Sequence, residues 1–409
     1  MLAEQLGRGL SSIISSGLIG AVAGSLAALL MAAIAGFTAL AWGPAVLNGF
    51  PSQAPMLWQA LVPIGIGLAI GLLRRRGLVP LPELHQTLGE LHSKQGMPLK
   101  HTGSHLLLGL LALVGGGSLG PEALLSRALA ALVLAQKRLR LPSSCAVSGA
   151  LGFIGSPLLG GVALAERQDQ PLPAGLWSWL PGLVSGMAGF AAFQGFSRFG
   201  GGEQGVAYQW PHDLDQSLDF FAWSLLCGLL GGLLGMLFLG LRQRLEQLIT
   251  HWQLAVLPQA LGTGVLLALV NHWQPLALFS GEQQISALLQ GKLLQGALPM
   301  LLLGLLKLLL AALCLSTGWV GGLFFPLIFG AAALGQGLAL ALPGSLPTQV
   351  AIGAMACSIQ SAVLGQALVP ILVTATVLKG HGLGAVLVGS VMGLGVRNLL
   401  RNSGDKAKN

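Results

Sequence analysis

The sequence predicts an all-α protein that crosses a membrane several times. Of its 409 residues, 54% are hydrophobic and only 8% are charged, whereas a soluble domain carries about 25% charged residues. Several apolar runs reach or approach the roughly 20 residues that a helix needs to cross a bilayer. They are Ile13–Trp42, Leu57–Leu73, Leu106–Leu119, Leu172–Phe193, Phe220–Leu239, Leu298–Leu315 and Ala362–Leu378. The short alternating segments of a β-barrel are absent from the pattern.

The distribution of basic residues predicts the orientation in the membrane. Clusters at 74–76, 137–140, 242–244 and 397–401 flank apolar segments, and such ends face the cytoplasm by the positive-inside rule. The net charge of +8 is therefore interpreted as a topology signal and not as a nucleic-acid surface. Both termini are expected on the cytoplasmic side. No removable signal peptide is expected, since no cleavage site follows residues 1–9 before a full-length span. The four cysteines are single residues in apolar surroundings, so neither a disulfide framework nor a metal site is expected.

The chain is expected to consist of two half-repeats of opposite orientation. A polar stretch, Ser197–Asp219, separates two apolar halves, and each half opens with a long hydrophobic helix, Ser11–Trp42 and Leu218–Leu248. The first helix starts beside Arg8 and the second ends at basic residues, so the two run in opposite directions. An inverted repeat of this kind is common in transporters. The predicted domains are residues 1–200, an extracytoplasmic linker at 201–214, and residues 215–409 with a short cytoplasmic tail.

Several apolar pieces are too short to span a bilayer and are predicted to be tilted or half-spanning helices. They are Pro82–His92, Pro121–Leu134, Pro157–Glu166, Glu282–Leu289 and Phe325–Leu338. Three of them open on proline and a fourth has Pro326 at its second position, which suits a helix start. The N-termini of such half-helices present free N–H groups and the positive end of the helix dipole, which together can bind an anion. The alternative is that these pieces are re-entrant packing elements without a ligand.

Glu122 is the residue that most clearly indicates function. It is the only carboxylate between Glu90 and Glu166 and comes directly after the stretch Gly115–Pro121. A charge inside a membrane costs roughly 2.5–3.5 kcal/mol on insertion scales, so an acid there marks a functional site by default. A carboxylate in the first helical turn competes with an anion for the same N–H groups, and its protonation would release them. Glu122 is therefore predicted to be a gate, and the alternative is that it only caps its own helix.

Two motifs resemble signatures of the CLC family of chloride channels and chloride/proton antiporters. GSLGPEA (Gly117–Ala123) resembles the family's GSLGREGP, with Glu122 at the gating glutamate. GWVGGLFFPLIFG (Gly318–Gly330) resembles GGxFxPxLxxG. The resemblance implies a CLC fold, no enzymatic activity, no cofactor or metal, and a homodimer in the inner membrane of a prokaryote. It also implies that Gly120, Ala123, Gly322, Leu323 and Phe324 bind the anion.

Two further stretches extend the resemblance and contain its main departures. LPELHQTL (Leu81–Leu88) resembles IPEIEGAL, so Val79 and Pro80 fall in the family's first anion-binding loop. Val79 stands where the family has a serine, and the family's central tyrosine has no counterpart, since Tyr208 is the only tyrosine. Because two hydroxyl donors are missing, selectivity for chloride is expected to be weak, and fluoride or nitrate is an alternative substrate.

The second departure concerns protons. SPLLGGVALAER (Ser156–Arg167) resembles APLAGILFIIEE, which places Glu166 and Arg167 at the paired glutamates of proton-exchanging members. An arginine cannot relay a proton at ordinary pH. Either protons pass through Glu166 and water, or the protein conducts anions without coupling.

One hypothesis from another class is an intramembrane serine hydrolase that uses Ser118 with His101 or His105. It leaves Glu122 unexplained, and Ser118 lies outside any nucleophile-elbow pattern. The two histidines are four residues apart, a spacing that could also hold a metal, but no third ligand is found nearby in the sequence. The preferred interpretation is an anion permease that transports chloride. If the protein is an exchanger, protons are its second partner.

Overall fold

The computed structural model describes residues 2–44, 46, 56–93, 97–135, 143–166, 179–199, 218–289, 292–293 and 296–406. Within them the regular structure is helical, apart from one isolated β-bridge between Gly120 and Gly322. The first half contains α1 Leu2–Trp42, α2 Met56–Arg75, α3 Leu84–His92, α4 Thr102–Val114, α5 Glu122–Ala135, α6 Ser143–Ala150, α7 Leu159–Ala165 and α8 Leu180–Phe199. The second contains α9 Leu218–His251, α10 Val256–Trp273, α11 Ile285–Leu289, α12 Ala297–Thr317, α13 Phe324–Ala341, α14 Thr348–Leu364, α15 Leu368–Val377 and α16 Leu383–Lys406.

Among the described residues, six helices are long and apolar enough to cross a membrane. They are Ser12–Trp42 of α1, α2, Leu218–His251, α12, α13 and Leu383–Asn402 of α16. Their outer surfaces carry leucine, valine and phenylalanine side chains such as Leu18, Leu40 and Leu237, which are 63–83% exposed. Such a surface is stable in a bilayer, where lipid tails replace the missing protein neighbours. The prediction of an all-α multi-pass membrane protein is confirmed.

The chain forms two compact units that interleave along the sequence. The first comprises Met1–Ile34, Leu81–Leu107 and Pro121–Gly205, and the second comprises Ala35–Pro80, Leu108–Gly120 and Val206–Asn409. The predicted linker at 201–214 lies outside the described residues. The division into two half-repeats stays a prediction, since the compact units are defined by contacts and not by internal similarity.

In the first unit, glycines bring helix backbones into direct contact. A Cβ atom added to Gly20 of α1 would lie 2.1 Å from the carbonyl oxygen of Ser185 in α8, and one added to Gly24 would lie 2.0 Å from that of Gly189. Gly149 of α6 packs in the same way on the backbone of Gly20. Small residues are what allow membrane helices to approach this closely.

The second unit is packed by the same device around a larger core. Gly67 of α2 faces the carbonyl oxygen of Ala260 in α10, at 2.6 Å from an added Cβ. Gly389 and Gly393 of α16 face Ala354 and Ser358 of α14. The buried side chains of α12, α13 and α14 complete this core. Helices α2 and α10 therefore form a closely packed pair within this unit.

Three of the predicted segments differ from the structure, for local reasons. The run Leu106–Leu119 is not one helix, since α4 ends at Val114 and residues 115–120 form a loop. Phe325–Leu338 was expected to be a half-spanning helix, but α13 has 18 residues and is long enough to cross a membrane. The run Ala362–Leu378 is divided, since α14 ends at Leu364, before Gly365 with its φ of +66°, and α15 starts at Leu368. The remaining short pieces are helices α3, α5, α7 and α11, within a few residues of their predicted bounds.

Candidate anion pathway

A glycine-rich loop, residues 115–120, connects α4 to the residues that start α5. Gly116 adopts φ +85°, a conformation that glycine reaches without strain. The N–H of Phe279 donates to the carbonyl oxygen of Gly116 at 3.1 Å, and the hydroxyl of Ser118 donates to that of Lys307 at 3.4 Å. The Ser118 hydroxyl is thus directed at the backbone of α12, and it holds the loop in place.

Glu122 is the first residue of α5 and is only 1% exposed. Ala123 is the next residue and is fully buried. The first turn of a helix has free N–H groups and the positive end of the dipole, both of which stabilise an anion. This position gives Glu122 the local environment that the gate hypothesis requires.

The second loop, residues 318–323, connects α12 to α13. Gly318 has φ +85° and caps the C-terminus of α12, with its N–H on the carbonyl oxygen of Cys314. Leu323 is the N-cap of α13 and Phe324 is its first residue; both are buried, at 7% and 4% exposure. The two residues predicted to present N–H groups to an anion therefore do stand at a helix start.

The two loops are joined by two backbone hydrogen bonds. The N–H of Gly120 donates to the carbonyl oxygen of Gly322 at 2.8 Å, and the N–H of Gly322 donates to that of Gly120 at 2.7 Å. Glycine is needed around this pairing, because a Cβ on Gly321 would lie 2.8 Å from the Cβ of Leu119. Helices α5 and α13 each begin two residues after the paired glycine. The structure thus joins the glycine-rich loops of the two motifs, which sequence analysis identified separately.

The other predicted site residues are placed less decisively. Val79 and Pro80 belong to a stretch without regular secondary structure before α3, and Val79 is 37% exposed, unlike the buried residues of the two paired loops. Glu166 comes directly after α7 and is 7% exposed. Arg167 lies outside the described residues. The rings of His101 and His105 have centroids 6.3 Å apart, and the described residues contain no group of three potential metal ligands.

Sequence analysis missed a buried lysine. Lys307 lies in the middle of α12, is fully buried, and donates from Nζ to the carbonyl oxygens of Ala277, Leu278 and Phe279 at 3.1, 2.8 and 2.5 Å. Its Nζ also lies 5.1 Å from the ring centroid of Phe329. The signal was available, because a single lysine in a 21-residue apolar helix is a functional indication in its own right.

A buried arginine in α5 was also missed. Arg127 is fully buried, forms an ion pair with Glu90 of α3, and donates from Nη2 to the carbonyl oxygen of Pro98 at 3.2 Å. It therefore ties the helix that begins with Glu122 to α3 within the first unit. A lone arginine in a helix otherwise lacking basic residues was the sequence signal here.

The six long apolar helices among the described residues are those of an integral membrane protein. A sequence model of the family described as voltage gated chloride channel matches residues 66–397. The chain belongs to this family, the CLC family, as its motifs predicted.

Solved structures agree with this assignment at the level of the fold. A slow cyanobacterial chloride/proton antiporter matches with a TM-score of 0.76 and 16% identity, over 95% of this chain and 94% of that chain. A CLC-type fluoride/proton antiporter matches with a TM-score of 0.73 and 19% identity, over 94% of each chain. A eukaryotic CLC transporter matches with a TM-score of 0.65 and 15% identity, over 95% of this chain and 72% of that chain. A search of curated proteins found no match.

Proposed function

We propose that this protein is an anion permease embedded in the membrane, that it transports chloride, and that Glu122 is its gate. The observation that carries the proposal is the reciprocal hydrogen bonding of Gly120 and Gly322, at 2.8 and 2.7 Å. It joins the two motif loops, and each loop leads within two residues into a buried helix start. In apolar surroundings, an anion can be bound by the N–H groups of the first helical turn, which have no acceptor within the helix.

The gate works by competition. In its ionised form the carboxylate of Glu122 occupies the positive end of α5, where Ala123 supplies a backbone N–H. An incoming anion must displace it. Protonation removes the charge and with it the attraction to the helix start, so anion flux should increase as the pH falls.

The chemistry around the gate leaves the physiological anion to be decided by measurement. Backbone N–H groups can bind chloride, fluoride and nitrate. The N–H groups of Gly120 and Gly322 are donated to each other's carbonyl oxygens, so the predicted donors that remain for an anion are those of Ala123, Leu323 and Phe324. The structures that this chain resembles include a chloride/proton and a fluoride/proton antiporter, so both anions belong in the test. We further propose a homodimer in the inner membrane of a prokaryote with both termini in the cytoplasm, as the family resemblance implies.

The direct test is anion efflux from liposomes that contain the purified protein, measured from acidic to neutral pH. We expect Glu122→Gln to make the flux high and nearly independent of pH, because the amide cannot ionise. At neutral pH the flux should rise about 2- to 30-fold, which corresponds to the roughly 0.5–2 kcal/mol that a charge gains at a helix terminus. A pH profile that Glu122→Gln leaves unchanged would exclude Glu122 as the gate.

A matched control is Glu246→Gln. Glu246 lies on α9, its side chain is 48% exposed, and it pairs with Arg242 one turn earlier. The same chemical change there should leave the pH profile intact. Loading the vesicles with chloride, fluoride or nitrate in turn identifies the preferred anion, and no flux with any of them would refute the permease itself.

A further inference from the structure

Arg74 is held in a different way from the next two arginines in the chain. It lies in the last turn of α2 and is partly buried, and its Nη1 donates to the carbonyl oxygen of Thr317 at 2.6 Å. Arg75 and Arg76 are exposed. The positive-inside rule treats the three residues alike, but only Arg74 reaches the start of the second loop.

The contact suits the chemistry of a helix end. Thr317 is the last residue of α12, and a carbonyl there has no partner within the helix and carries the negative end of its dipole. A guanidinium donates a hydrogen bond to such a carbonyl oxygen and also brings a positive charge to the negative end of the dipole. The guanidinium also covers the next residue, because a Cβ on Gly318 would lie 2.0 Å from Arg74 Nη1.

The same corner of the chain, residues 317–319, is held by two other hydrogen bonds. The hydroxyl of Thr263 donates to that of Thr317 at 2.7 Å, and the indole of Trp319, which is fully buried, donates to the carbonyl oxygen of Ala260 at 3.0 Å. Both partners lie on α10, which packs closely on α2. Three residues after Trp319 comes Gly322, whose backbone pairs with that of Gly120.

We infer that Arg74 is a positioning residue for the second loop. By fixing Thr317 and Gly318 against α2, it sets the location from which residues 318–322 reach the pairing with Gly120. It therefore controls anion selectivity through the loop and not through its own charge. The inference rests on the proposed function, because anion flux is its readout.

A competing explanation is that Arg74 only attracts anions to the membrane surface. Attraction of that kind would be shared by Arg75, which carries the same charge one residue away, and it would weaken at high ionic strength. Displacement of the loop would show neither property. Arg74→Gln and Arg75→Gln thus remove the same charge from adjacent residues, of which only Arg74 donates to Thr317.

The experiment measures the ratio of chloride to nitrate flux in liposomes at low and at high salt. We expect Arg74→Gln to change this ratio about fivefold or more at both salt concentrations, because a hydrogen bond from a charged group is lost at the anchor of the loop. Arg75→Gln should keep the wild-type ratio. Arg74→Lys retains the charge without the planar fork and should give an intermediate ratio.

Equal ratios for Arg74→Gln and Arg75→Gln, or a change that high salt removes, would overturn the inference. If Arg74→Gln does not fold, Arg74→Lys and Thr263→Val decide the question, since Thr263→Val removes one fastening of the same corner while nearly keeping its shape. Wild-type ratios in both would also overturn it. A wild-type protein that passes no anion would instead refute the proposed function, so the two failures are distinguishable.

Discussion

The two glycine-rich loops share a backbone shape but are fastened by different chemistry. Gly116 in the first loop and Gly318 in the second both have φ +85°. The first loop is held by neutral donors, the N–H of Phe279 and the hydroxyl of Ser118. The second is held by the neutral indole of Trp319 and also by a cation, because Arg74 donates to the carbonyl oxygen of Thr317. Glycine thus supplies the turn in both loops. The residues that hydrogen-bond to each loop determine how well it tolerates a substitution.

The loops also differ in the side chains at the helix starts to which they lead. The first leads to Glu122, a buried carboxylate, and the second leads to Phe324, a buried phenyl ring. Only the first side chain can change its charge with pH. Under the proposed function, the same type of glycine turn precedes a titratable gate, Glu122, in the first loop and a side chain of constant charge, Phe324, in the second.

The largest effect should separate the two turns. Gly318→Ala and Gly116→Ala both place a Cβ at positive φ, which costs about 1–3 kcal/mol of folding free energy. At position 318 the new Cβ also lies 2.0 Å from Arg74 Nη1, so the guanidinium must leave Thr317. At position 116 the nearest atoms, in Leu278 and Trp42, are 3.1 Å away. We expect Gly318→Ala to lose roughly 1.5–3 kcal/mol more.

Thermal unfolding in detergent, together with efflux from liposomes, measures this difference. Gly116→Ala serves as the matched control for backbone strain. Equal loss of stability in the two variants would mean that Arg74 moves aside without cost, and the contrast between cationic and neutral fastening would then fail.

A smaller effect is expected at Val79, which tests whether a third stretch resembles the two paired loops. Val79→Ser adds the hydroxyl that the family resemblance predicts at this position, and one hydrogen bond contributes about 0.5–1.5 kcal/mol. We expect a rise of about 2- to 10-fold in chloride affinity or in preference over nitrate. Binding and flux that both remain unchanged would show that this partly exposed stretch does not line the pathway.

The smallest expected signal is proton transport. Measuring it tests whether the carboxylate of Glu166 alone is enough for anion/proton exchange. With an arginine at position 167 in place of the second glutamate, we expect a chloride gradient to drive little or no uphill proton transport. A fixed positive charge repels protons and attracts anions. The measurement records pH inside sealed vesicles during chloride flow. Robust pumping with a fixed stoichiometry, abolished by Glu166→Gln, would show that Glu166 replaces the missing relay.

Several elements could be predicted from the sequence because their signals are local. The long helices α1 and α9 result from uninterrupted apolar runs, and α5 results from Pro121 and the apolar residues after Glu122. The error at α13 has a local cause as well: Pro326 indicates a helix start, but nothing nearby indicates where the helix ends. The division of Ala362–Leu378 depends on the left-handed conformation of Gly365, and most glycines in apolar runs of this chain remain helical.

The sequence by itself determined the class of protein, its family and the residue proposed as the gate. Hydropathy, proline and glycine act on the backbone within a few residues, and a motif is read in the order of the chain. Only the tertiary structure decided that Gly120 pairs with Gly322, that Lys307 binds three carbonyl oxygens, and that Arg74 reaches a carbonyl 243 residues away. These contacts depend on which helices pack together. Neighbouring arginines with the same charge and the same local context therefore became different only when the chain folded.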